Sequence, residues 1–106
     1  MKTEAGYELQ VYDVSGSELR IRWDIEQKTK EDIDGGSVVY WQASEALCNK
    51  LDDRSTLIQK IINSVYSVAD EIATINNKEA KPQEYADYQT FRVQAKALAD
   101  GWIERA

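Results

Sequence analysis

One stretch constrains the fold more than any other. From Asp53 to Asn76 the chain reads through RSTLIQKIINSVYSVADEIATIN, where Ile58, Ile61, Ile62, Val65, Val68, Ala69, Ile72 and Ile75 recur at the three-and-four spacing of an amphipathic helix. Such a stripe must be covered. The segment from Gln83 to Ile103 carries the only comparable stripe, and the connector NNKEAKP is short, so the pattern predicts a helical hairpin over 52–104. Asp52 or Asp53 suits the N-cap, presenting a carboxylate to the free amides of the first turn. Ser67-Val68-Ala69-Asp70 has the spacing of a capping box with Asp in place of Glu, which argues for a kink or restart after Tyr66. Against that, the stripe runs through without a phase slip, as in a continuous helix. Asn76-Asn77 predicts a left-handed cap, and Pro82 a helix start, where its missing amide costs nothing. In the last helix Tyr88, Phe91, Ala95, Leu98 and Trp102 form a short seam of coiled-coil type.

The N-terminal half has a different period. Tyr7, Leu9 and Val11 alternate, VSGS interrupts, and then Leu19, Ile21, Trp23 and Ile25 share one face while Arg20, Arg22, Asp24 and Glu26 share the other. Two strands with a turn near Ser15-Gly16 follow from this, glycine supplying the positive φ of a hairpin. Tyr12 and Val14 break the alternation and mark a bulge or a strand covered on both sides. Glu26 to Asp34 is polar and acidic and runs into Gly35-Gly36, the signature of a solvated loop. SVVYWQA, from Ser37 to Ala43, is β-branched and aromatic and predicts a third strand, with an irregular continuation to Leu47. The expected fold is therefore α+β: an N-terminal three-stranded antiparallel meander (1–48) packed on a C-terminal helical hairpin (52–104), in one domain spanning 1–106.

Chemistry is sparse. The chain of 106 residues has no histidine, so the usual general base is missing and no ordinary serine or cysteine triad can be assembled. Asp52-Asp53, Asp70-Glu71 and Glu31-Asp32 are adjacent acids that capping or solvation explains. One cysteine, Cys48, permits no intramolecular disulfide and reads as a small buried residue. Without histidine, and with no calcium-loop spacing, no metal site is expected; without a glycine-rich loop after a strand, no cofactor. A net charge of −6 and the absence of a basic stripe argue against nucleic acid. No apolar run reaches the length of a signal peptide or membrane span, so the expected location is the cytosol, or a particle assembled there.

The aromatic residues are numerous for a chain of this length, and most fall on faces assigned as inward. Tyr85 and Trp102 sit on the flank and end of the last helix and are expected to stay partly exposed. With Tyr88 and Arg92 they are the candidate partner-binding residues, since Trp, Tyr and Arg dominate interaction hot spots. Alanines 86, 95, 97 and 99 leave that helix slim enough for another helix to approach.

The C-terminal half, RSTLIQKIINSVYSVADEIATINNKEAKPQEYADYQTFRVQAKALAD, resembles a module of small tail-associated proteins of bacteriophages and prophages, including the C-terminal part of tail-fibre assembly chaperones. In that module an Arg-led helix ends at an aromatic-Ser or Ser-Asp step, and an aromatic-x-x-aromatic-Arg helix follows. Arg54 would lead here, Tyr66-Ser67 would be the step, and Tyr85, Tyr88, Phe91 and Arg92 would supply the second helix. The step lacks the family's Trp and the first helix is longer. The resemblance covers half of the chain and none of the meander. It implies a non-enzymatic structural or assembly protein that binds another tail protein, or copies of itself as a homo-oligomer. A second expectation, from charge alone, is a small acidic regulatory or inhibitor domain that occludes a basic partner through Glu26 to Asp34.

Overall fold

A computed structural model describes residues 2–105, which fall into two compact units, one ending at Lys50 and the other beginning at Leu51. The first holds strands β1 (Lys2–Ala5), β2 (Tyr12–Ser15), β3 (Glu18–Glu31) and β4 (Ser37–Asn49), and the second holds helices α1 (Arg54–Asn63), α2 (Val68–Asn76) and α3 (Pro82–Arg105). The class is α+β as expected, but with a four-stranded sheet in the order β1-β4-β3-β2 and with three helices.

The meander of β2, β3 and β4 is all antiparallel. Ser15 pairs with Glu18 across Gly16-Ser17, and Gly16 at φ +62° with no positive φ at Ser17 has the signs of a type II′ turn. Leu19, Ile21 and Trp23 lie on one buried face, beside Cys48, Ala46 and Ser44 of β4. Side chains such as Leu19 and Ile21, both fully buried, each contribute roughly 1.5–3 kcal/mol.

Three details of the sheet depart from the sequence reading. The strand expected over Tyr7 to Val11 is instead a connector, in which Leu9 is buried and Tyr7 is 68% exposed. It joins β1 on one edge to β2 on the other, and the alternation reflected one anchoring residue rather than a ladder. β1 itself, KTEA, has no strand signal; it forms because the edge of β4 from Trp41 to Ser44 offers backbone partners, which override propensity. Finally, the loop expected over Glu26 to Asp34 is mostly strand. β3 runs to Glu31, paired residue by residue with β4 from Gln42 to Ser37. A ribbon wet on both faces needs no apolar side, so it leaves no alternation to read.

A β-bulge separates the buried and exposed halves of β3. Trp23 pairs with Ser44 and Glu26 with Gln42, so Asp24 and Ile25 oppose a single residue, and Asp24 takes φ +52°. Aspartate tolerates this left-handed conformation better than most residues, and glycine better still. Asp24→Gly is expected to leave thermal stability unchanged or raise it by up to about 1 kcal/mol, while Asp24→Val costs about 1–2 kcal/mol. Equal melting temperatures for the two variants would remove the strain from the account.

In the helical unit, Asp53 is the N-cap of α1, its Oδ1 accepting from Thr56 N at 2.8 Å, a bond that holds the carboxyl below its ordinary range. The restart at Ser67 is real. Asp70 N donates to Ser67 Oγ at 3.1 Å and Ser67 N donates to Asp70 Oδ2 at 3.2 Å, a complete capping box. Asn77 ends α2 at φ −99°, so the expected left-handed cap does not form. Pro82 opens α3 as expected. Leu57, Ile61 and Ile62 of α1 and Tyr88, Ala95 and Ala99 of α3 are the unit's buried apolar residues. At the far end of this pair Arg54 clamps Asp100 through Nε at 2.5 Å and Nη2 at 3.3 Å.

The break after Asn63 also overturns the continuous stripe. Val65, Val68, Ile72 and Ile75 are 49%, 61%, 56% and 44% exposed, and α2 buries no residue. Four non-helical residues, Ser64 to Ser67, redirect the axis. The spacing continues in the numbering while the face it describes turns away.

Candidate interaction surfaces

The four residues proposed from sequence do not form one patch. Tyr88 is 2% exposed, a position that withholds its ring from any outside partner. Arg92 lies half-buried beside it, its guanidinium 5.8 Å from the Tyr88 ring centroid and its Nη1 donating to Gln89 Oε1 at 3.3 Å. Tyr85 is half-buried, with Lys78 Nζ 6.0 Å from its ring centroid. Trp102 is also half-buried, but fourteen positions beyond Tyr88, about 21 Å along the helix axis.

What surrounds Tyr88 is an internal junction of the three helices. Its hydroxyl donates to Glu71 Oε1 at 2.7 Å, while Glu71 Oε2 accepts from Asn63 Nδ2 at 3.1 Å and Gln59 Nε2 at 3.3 Å. Asn63 Nδ2 also donates to Tyr66 O at 2.9 Å, inside the turn between α1 and α2. The Tyr66 ring meets Tyr88 edge-on at 5.1 Å and tilts against Phe91 at 5.9 Å. Burial, followed by the hydrogen bond to Glu71, pushes the Tyr88 hydroxyl up to about 12. Glu71 thus fixes where α2 leaves α1, an organising role that adjacency in Asp70-Glu71 did not reveal.

Exposed apolar surface gathers in two other places. The first is formed by Val65, in the turn between α1 and α2, and by Val68, Ile72 and Ile75 of α2. The second is the outer half of the β3–β4 hairpin, an arm from Glu26 to Tyr40 in which every residue up to Val39 is exposed. Neither edge of the arm has a neighbouring strand among the described residues, because β2 stops at Ile21 and β1 at Trp41. Val38 and Val39 are 40% and 47% exposed, and Ile33 at the tip is fully exposed. The tip is a type I turn closed by Gly35 N to Asp32 O at 3.1 Å, with Gly35 at φ +82°, and Asp32 N donates to Gly36 O at 2.7 Å. Lys30 Nζ lies 5.1 Å from the Tyr40 ring centroid and Lys28 pairs with Glu26 at 3.6 Å, both exposed contacts worth little. A two-stranded ribbon of this kind is marginal in water unless something packs on it.

A cleft of 360 Å³ lies between the α1–α2 turn, α2 and the start of α3, with Tyr66, Asp70, Thr74, Lys81 and Glu84 in its wall. Among the described residues, no group of three or more His, Cys, Asp or Glu side chains is placed to share a metal ion, and every buried side-chain nitrogen or oxygen has a partner. No helix among them is long and apolar enough to cross a membrane. Comparison with protein families, with curated proteins and with solved structures gives no match to this chain.

Proposed function

We propose that the chain is a non-enzymatic interaction module of a phage or prophage, a structural or assembly protein that binds another tail protein or itself through the β3–β4 arm. One observation carries the reading: fourteen consecutive residues, Glu26 to Val39, lie exposed on a regular ribbon with two open edges. A chain that needed only to connect two strands would turn at the bulge; carrying the ladder six pairs further exposes two rows of backbone groups that another strand can pair with in place of water. The resemblance of the helical half to tail-fibre assembly modules supports the phage setting, and with it a place in the host cytoplasm or the virion. Net charge −6 keeps nucleic acid out of the reading.

The acidic arm tip, with Glu31, Asp32 and Asp34, supports a second reading as a domain that occludes a basic partner. Binding of that kind falls as salt screens the charges, whereas edge pairing does not.

Photo-cross-linking tests the first reading. A cross-linking residue at Thr29, on the arm, is expected to capture a structural protein or a second copy in producing cells, while the same residue at exposed Lys96 on α3 captures neither. Equal capture at both positions, or none at Thr29, would remove the arm from the account.

A further inference from the structure

The arm has two edges that differ in what they can accept. Asp32 N donates to Gly36 O, so these two residues form a hydrogen-bonded pair. Hydrogen-bonded and non-hydrogen-bonded pairs alternate along an antiparallel ladder, which makes Lys30 and Val38 the next bonded pair. The pairs between, Glu31 with Ser37 and Thr29 with Val39, then turn their N–H and C=O groups outward. Trp41 continues the same series, and it is there that β1 takes up the pairing through Ala5. On β4, therefore, Ser37 and Val39 present open backbone groups to solvent.

From Ser37 to Ser44 the strand carries no charge and no proline. The β3 edge is the opposite: Glu26, Lys28, Lys30 and Glu31 punctuate it, and pairing it with itself about Thr29 sets Lys28 against Lys30 of the second copy. Registers about Lys28 or Lys30 likewise set lysine against lysine, whereas self-pairing of β4 from Ser37 to Val39 brings no like charges together.

We propose that the β4 edge is a homodimer interface, in which two arms pair antiparallel across a two-fold axis so that Ser37 of each copy opposes Val39 of the other and Val38 faces Val38. This rests on the arm being the interaction element. The register is fixed by the outward groups: only residues whose N–H and C=O point outward can form the bonded pairs, and this alignment uses both such residues of both copies. Centring on Val39 instead brings Ser37 to Trp41, already taken by β1. The two valines on the axis form a close, non-hydrogen-bonded pair, an apolar contact in place of their present exposure. An isologous interface of this kind closes at two copies.

The test is the solution mass of the purified full chain by light scattering over a range of concentration, at low and high salt. The expected result is a concentration-dependent rise to twice the chain mass, favoured by salt because each copy carries net charge −6. Val39→Pro removes an outward N–H that the arm itself does not use, and Val38→Lys places two cations together on the axis. Both are expected to remain folded by circular dichroism and to abolish the dimer. A wild type that stays monomeric at every concentration and both salts overturns self-pairing, as does a dimer that both variants leave intact but Ile72→Asp on α2 dissolves. A monomer whose Thr29 position still cross-links another protein refutes the dimer and leaves the arm as the site.

Discussion

Arg22→Met is expected to cost about 3–5 kcal/mol in urea denaturation, a large part of the 5–15 kcal/mol typical of a whole domain. The Arg22 and Glu45 side chains are 6% and 3% accessible, directly opposite across β3 and β4, with Nε to Oε1 at 3.1 Å. Arg22 Nη1 also donates to Asp13 Oδ2 at 3.1 Å and Gln10 O at 3.4 Å, tying the connector and β2 to the middle of the sheet. Remove Arg22, and Glu45 keeps only Arg20, whose side chain is 37% accessible and 3.2 Å away. The cost is that of a buried carboxylate left undercompensated, not the value of the pair. The double change Arg22→Met with Glu45→Leu is therefore expected to recover most of the loss. A single-variant loss under about 1 kcal/mol would make the network a surface ion pair in all but position.

Tyr88→Ala is the second large effect, about 3–5 kcal/mol, because it empties the junction of α1, α2 and α3. Tyr88→Phe keeps the ring and removes only the donor to Glu71, for about 1–1.5 kcal/mol. The pH profile reports the ionisation of the hydroxyl itself. A hydroxyl raised from 10 to about 12 contributes stability that is whole below pH 10 and is lost as pH climbs from 10 towards 12. Wild type should show that alkaline loss in denaturation measured across the range, and Tyr88→Phe should lack it. Identical alkaline profiles would mean that neither burial nor the Glu71 bond raises the Tyr88 hydroxyl.

Much of this architecture was legible because it is local or periodic. The capping box at Ser67, the cap at Asp53, Pro82 at the start of α3 and the inward face of Leu19, Ile21 and Trp23 each follow from a few neighbouring residues. What was hidden depends on distant partners. The strand β1 has no signal of its own and exists because β4 has a vacant edge. Arg22 looked like the polar side of a half-exposed sheet, and only Glu45, twenty-three residues on, makes it a buried residue. Val65, Val68, Ile72 and Ile75 matched the stripe of a covered helix, but α1 ends at Asn63 and the capping box starts a new helix whose apolar face is exposed. The arm was hardest to see, since a ribbon wet on both sides has the composition of a loop.

The claim that the arm serves interaction rather than folding is tested most directly by removing it. Replacing Thr29 to Val39 with Asn-Gly joins Lys28 to Tyr40, a hydrogen-bonded pair, through a two-residue hairpin turn and keeps the bulge and the pairing with β1. Thermal unfolding of this shortened chain, followed beside its solution mass and its capture of partners in producing cells, is the measurement to make. The account predicts a melting temperature within a few degrees of wild type, since the deleted residues bury no side chain, together with loss of association. A shortened chain that unfolds, or one that associates as before, would contradict it.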